Sequence, residues 1–204
     1  MKISAVEHLL QRMPPKMEIH ANHVANLCYA MGQKINANAE ELEILFMAGL
    51  LHEVGKLDSD AFLQFNEEML NKTYMLVSYT ILKNIPGYEP ILQTILQHQE
   101  NYDGSGYPYQ LKAEEIDTLA KVVRIADFYD TVRMNGKDHD EACKAIREQS
   151  DIIFPRRIIT PFILSVINNG LQYEYDMETN PYKDYYEKDF TVEHRRRRVS
   201  RKKK

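Results

Sequence analysis

His98-Gln99-Glu100-Asn101-Tyr102-Asp103-Gly104-Ser105-Gly106-Tyr107-Pro108 places metal-type side chains and a glycine-rich turn directly after a helical stretch. Upstream, Ile91, Leu92, Ile95 and Leu96 recur at i, i+1, i+4 and i+5, a helical stripe rather than strand alternation. His98 and Glu100 are therefore expected near a helix C-terminus. Two glycines one residue apart, closed by Tyr-Pro, cannot continue that helix, so the chain turns sharply. A loop of this kind can expose backbone N–H groups to an anion. Taken alone it reads as an ordinary cap and turn, and the flanking sequence shifts that balance.

Outward from this stretch the apolar periodicity is helical throughout. Ile3, Val6, Leu9, Leu10 and Met13 predict an amphipathic helix stopped by Pro14-Pro15. A second helix runs from about Met17 to Lys34 and sets His20 and His23 on one face. After a polar cap at Asn36-Ala37-Asn38, a third helix carries Leu42, Leu45, Phe46, Gly49 and Leu50 and ends at His52-Glu53-Val54-Gly55-Lys56, with Gly55 as its terminator. Helices are also expected over 67–83, 119–132, 141–149 and 156–168, with a short one at 113–116. Asp127 and Asp130 interrupt the apolar surface of the 119–132 helix at i, i+3 spacing. No strand pattern is long enough to build a sheet. The expectation is an all-α bundle over residues 1–170, followed by a tyrosine-rich, acidic and then basic tail over 171–204 that is disordered or ordered by a partner.

The chain has 204 residues, 44% of them hydrophobic and 27% charged, enough for one buried core of about 170 residues. No stretch reaches the roughly 18 apolar residues of a membrane span and no secretory leader is visible, so the expected location is the cytoplasm. Cys28 and Cys143 lie apart in helical patterns and read as reduced core thiols. The net charge of −4 is uneven, because eight of the 26 basic residues occupy 195–204; the rest of the chain holds 18 basic against 30 acidic residues, about −12. An acidic body suits a cation better than a nucleic acid. The basic end suits a solvated tail, or contact with nucleic acid or anionic lipid.

Histidines and acids converge in this pattern. His23, His52, Glu53, His98 and Asp127 supply candidate metal ligands from four helices, and bundle cores assemble ligands in this way. A solitary histidine on a half-apolar helix is an ordinary hydrogen-bonded core residue, and His8, His139 and His194 are read so. His52 and Glu53 differ: two ionisable side chains end the most apolar helix, where burial without a partner costs several kcal/mol.

The order His23, His52-Glu53-x-Gly55-Lys56, His98-x-Glu100-x-x-Asp103-Gly104-Ser105-Gly106-Tyr107-Pro108 and Ala126-Asp127-x-Tyr129-Asp130 resembles the HD-GYP branch of the HD-domain metal phosphohydrolases over about residues 16–168. The resemblance implies an all-α HD-domain helical bundle, a divalent metal centre with iron or manganese favoured, and hydrolysis of cyclic di-GMP. By position it makes His23, His52, Glu53 and Asp127 ligands of one metal and His98 a ligand of a second, with Lys56 acting on phosphate or water. Departures from the pattern are specific. Glu53 stands where the family has aspartate, Tyr74 and Gln99 stand at histidine positions, and Ile19 stands at a glutamate position, so the second metal loses most of its ligands. Glu18 or His20 are the residues available to compensate. The family's basic substrate-contact run after Asp130 is not recognisable, which leaves Arg133 and Lys137 for that task.

Three functions fit these features. The first is a slow metal-dependent phosphodiesterase acting on a cyclic dinucleotide or another phosphodiester. In it Glu53 orients water, Lys56 holds phosphate, and Asp103, Gly104, Gly106, Tyr107 and Arg133 contact substrate. The second is an inactive module that binds a nucleotide or a signalling protein, alone or as a homodimer. The third is a single-metal phosphohydrolase of a different nucleotide.

Overall fold

The computed structural model describes residues 5–57 and 72–173. Eight α-helices carry the fold among these residues: α1 (Ala5–Leu10), α2 (Pro15–Lys34), α3 (Ala39–Leu51), α4 (Tyr74–Leu82), α5 (Leu92–Gln97), α6 (Thr118–Met134), α7 (His139–Glu148) and α8 (Arg156–Asn168). Short 3-10 turns at Val54–Leu57, Glu89–Ile91, Ala113–Glu115 and Leu171–Tyr173 join or extend them. The only β feature among the described residues is a bridge between Ser150 and Phe154. The expected helical positions at Ile3 and 67–71, and the tail from 174 onward with His194, lie outside the described residues.

Local chemistry explains the boundaries. Asn38 accepts from the Glu41 amide while the Glu41 carboxylate accepts from the Asn38 amide, a reciprocal box that starts α3. Asp138 and Glu141 repeat the device at α7, so that helix begins at His139, two residues earlier than its apolar pattern suggests. Pro15 opens α2 at a position where a missing N–H costs nothing.

The core forms where α2 packs on α3, α6 and α8, with Val24, Cys28, Met31, Leu45, Leu51, Ile125, Phe154 and Phe162 almost fully buried. At Gly49 the α2 and α3 backbones approach so closely that a Cβ would lie 2.7 Å from the Ala25 Cα. That approach sets the turn of α2 carrying His20 beside the end of α3 carrying His52. Leu171 is buried in the same core, so packing continues past the last full helix.

Two expectations need correction. Gly55 does not terminate α3 in a left-handed conformation; it is absent from the positive-φ residues and sits inside the Val54–Leu57 turn. Its missing side chain admits α4, because a Cβ there would fall on the Tyr74 carbonyl oxygen, and its amide donates to Ser78 Oγ at 2.8 Å. His8, expected in the core, is exposed on the short α1, where few neighbours exist to cover it.

Candidate metal centre

His20 from α2, His52 and Glu53 at the end of α3, and Asp127 from α6 each turn one donor atom to a common point, and these four atoms lie within 4.8 Å of one another. His20 Nε2 is 3.2 Å from His52 Nε2, 3.3 Å from Asp127 Oδ1 and 3.9 Å from Glu53 Oε2. His52 and Asp127 are buried, and His20 and Glu53 are partly covered.

The protons on the two imidazoles can be placed. His20 Nδ1 lies 2.5 Å from the Asp130 carboxylate and His52 Nδ1 lies 2.7 Å from the Gly49 carbonyl. Both partners only accept, so each histidine donates from Nδ1. In the neutral rings both Nε2 atoms then carry lone pairs that face each other at 3.2 Å beside two carboxylates. Such a contact needs a cation or a proton between its members. Burial opposes a charged His20, but Asp127 and Asp130 outweigh it and push the pKa of His20 up to about 10. Burial likewise opposes charge on Asp127, but His20 and His52 hold its carboxyl well below the usual range. Two imidazoles oriented from behind by Asp130 and Gly49 O, with two carboxylates, fit a divalent ion.

His23 is not in this group. Its Nδ1 is 2.9 Å from Asp130 Oδ1, and His20 is the α2 histidine whose donor atom joins the four. Asp130 serves both histidines, one through each oxygen.

His98 is also outside the group. Its Nδ1 donates to Ile95 O at 2.6 Å, so the Tyr74 hydroxyl, 2.8 Å away, donates to its Nε2. The Gln99 amide donates to the Tyr74 oxygen at 2.7 Å and to Asp127 Oδ2 at 3.1 Å. His98 is fully buried, and burial with the neighbouring His52 brings its pKa down to about 3. Tyr74, Gln99 and His98 thus form a neutral hydrogen-bonded set beside the metal-type group.

Lys56 pairs with Glu53 Oε1 and lies 4.5 Å above the Tyr74 ring. The glycine turn is held by its own chain. Asp103 Oδ1 accepts from the Ser105 amide and hydroxyl, and the buried Glu100 carboxylate accepts from the Tyr109 and Leu111 amides. The Gly104 and Tyr107 amides donate to the Asn101 and Gln99 carbonyls. Those N–H groups point into the loop and are not presented to an anion, which corrects the expected cradle. Gly104 has a left-handed φ of 86°, and Gly106 lies against the backbone of 99–101. Tyr107 is exposed at the loop surface, with Lys72 5.9 Å above its ring. Arg133 bonds the Tyr129 hydroxyl and the Gln172 carbonyl, and Lys137 bonds Glu141. The sequence reading missed Arg124, one turn before Asp127, whose guanidinium grips Asn101 Oδ1 through Nε and Nη2 at 3.3 and 3.1 Å. Its i, i+3 spacing to Asp127 is the signal that could have found it.

The family model for the HD domain matches residues 4–154. The chain belongs to the HD-domain family. Its metal-type group is accordingly that of an HD domain, a metal-dependent family. The 3'3'-cGAMP-specific phosphodiesterase 1 of Vibrio cholerae is 30% identical to it, over 54% of this chain and 27% of that protein. Cyclic di-GMP phosphodiesterase PdeB of Borreliella burgdorferi is 25% identical over 79% of this chain and 46% of that protein. The chain therefore spans less than half the length of these relatives. The crystal structure of a cyclic GMP-AMP specific phosphodiesterase from V. cholerae superposes with a TM-score of 0.67 at 18% identity, covering 82% of this chain and 48% of that one, a likeness of fold. Among the described residues no helix is long and apolar enough to cross a membrane.

Proposed function

We infer that this HD domain holds one divalent metal, iron or manganese, through His20, His52, Glu53 and Asp127, and slowly hydrolyses a phosphodiester of a cyclic dinucleotide. The observation that carries the reading is the convergence of His20 Nε2, His52 Nε2 and two carboxylates on one point, where a divalent ion would take the place of the proton on His20. An ion at that point supplies positive charge to a phosphate oxygen and acidifies water. The protein's own groups do the rest. Asp130 and the Gly49 carbonyl hold both imidazoles in the tautomer that offers Nε2. Glu53, partly open to solvent, accepts the proton of the attacking water, and Lys56 fixes that carboxylate by pairing with its other oxygen. The relatives named for cyclic di-GMP and 3'3'-cGAMP support the choice of substrate class.

A second reading, a dinucleotide-binding module without turnover, is favoured by one feature: Tyr74 and Gln99 occupy His98 Nε2 and Asp127 Oδ2, the lone pairs a second ion would need. Elemental analysis of protein purified without chelator, with turnover of cyclic di-GMP and 3'3'-cGAMP under added manganese or iron, decides between them. One metal per chain with slow hydrolysis is expected. Tight dinucleotide binding without turnover, with activity gained by the triple variant Glu53→Asp, Tyr74→His, Gln99→His, makes the protein a binding module. Absence of bound metal overturns the hydrolase reading, and absence of dinucleotide binding overturns the module.

A further inference from the structure

We propose that Arg124 is the phosphate-binding residue of this centre, doing with a fixed guanidinium what a second cation would otherwise do. The assignment deepens the hydrolase reading and rests on it for the identity of the substrate. Arg124 stands on α6 one turn before Asp127, with 17% of its side chain exposed. Its Nε and Nη2 share Asn101 Oδ1, and Asn101 Nδ2 in turn donates to Ser105 Oγ at 3.0 Å. The arginine therefore bridges the metal-type group and the glycine turn. Its remaining edge faces the centre: Nη1 lies 3.8 Å from Asp127 Oδ2, too far for a hydrogen bond, so its donors remain available to another acceptor.

Charge and geometry agree on that acceptor. Glu53, Asp127 and Asp130 are three carboxylates, and Lys56 and Arg124 are the two basic side chains set against them. One divalent ion then leaves a single positive charge, the complement of one phosphodiester anion. Without Arg124 the loaded centre is neutral and offers phosphate no net attraction. On this side of the centre Tyr74, Gln99 and His98 carry no charge, and Lys56 is already committed to Glu53. The Gly104, Ser105 and Tyr107 amides are bonded within the loop, and those of Tyr102 and Asp103 to the Ile153 and Ile152 carbonyls. A guanidinium pinned along one edge offers the other as a planar fork, the geometry suited to two phosphate oxygens.

The test uses the full chain loaded with manganese and compares Arg124→Ala, Arg124→Lys and Arg147→Ala, the last removing the same charge from an exposed turn of α7. Inorganic phosphate and cyclic di-GMP binding are measured by calorimetry, alongside metal content, melting temperature, KM and kcat. Arg124→Ala is expected to keep one metal per chain and to bind both anions at least about tenfold more weakly, with KM rising. Arg124→Lys recovers part of the loss, and Arg147→Ala matches wild type. Unchanged phosphate affinity in Arg124→Ala, or no phosphate binding by the wild type, overturns the assignment. Loss of metal in both Arg124 variants also overturns it, because the arginine would then be positioning Asp127. If wild type turns over neither cyclic di-GMP nor 3'3'-cGAMP while Arg124→Ala still weakens phosphate binding, the hydrolase reading fails and the arginine assignment stands.

Discussion

Replacing His20 and His23 separately by alanine tests the geometry of the centre, because the two residues lie one helical turn apart and only His20 reaches the shared point. Three residues of α-helix rise about 4.5 Å, nearly the full 4.8 Å spread of the ligand group, so the two side chains cannot occupy the same place in it. Metal held at 100 times its dissociation constant should stabilise the wild type by about 2.7 kcal/mol. For a domain of this size that is a rise of about 5–11 °C in melting temperature. Loss of a direct ligand should weaken affinity at least as much as loss of an orienting partner, up to about 100-fold. His20→Ala at the same metal concentration then retains only about 0.4 kcal/mol, a shift near 1 °C. His23→Ala removes one of the two imidazoles on the buried Asp130 and should cost about 1–3 kcal/mol with or without metal, leaving the metal-dependent rise intact. Differential scanning calorimetry with and without manganese, with elemental analysis of each variant, reads both quantities. A metal-dependent shift that survives His20→Ala and vanishes in His23→Ala would refute the assignment.

Other perturbations reach the walls of the site. Gly106→Ala drives a Cβ into the Gln99 carbonyl, 2.6 Å away, and into the backbone of 100 and 101, so a loss of about 3 kcal/mol is expected in urea unfolding; an unchanged midpoint would contradict the packing of the turn. Tyr74→Phe strips the donor from the buried His98 Nε2 and should cost about 1–3 kcal/mol; equal stability would mean that the Tyr74–His98 bond is not formed. With His98 held at about 3 when folded against about 6.5 unfolded, the unfolded chain binds the extra proton in this window, so this group's contribution to stability falls as pH drops from about 6.5 towards 3, with a slope approaching about 1.4 kcal/mol per unit. His98→Gln, which cannot titrate, should flatten that slope in metal-free protein, and an identical slope in both proteins would sink the argument.

The amino-acid sequence by itself determined the helices and most of the chemistry. The stripe at 91–96, the cap at Asn38, and the breaks at Pro14-Pro15 and Gly87 are local signals whose physics acts within a few residues, and the structure places helices where they point. His52-Glu53 at the end of an apolar helix and Asp127 within another were legible because buried ionisable groups need partners. What only the tertiary structure decided was register between helices. Both His20 and His23 fit the periodicity of α2, and the close approach of α2 and α3 at Gly49, with Asp130 offering one oxygen to each imidazole, is what brings His20 level with His52. The same holds for Gly55, whose lack of a side chain serves a helix two dozen residues away in sequence, and for Arg124, which joins α6 to the glycine turn through Asn101. Periodicity assigns a residue to a face, whereas a metal ligand must be placed to within an ångström, and that placement depends on packing between segments distant in sequence.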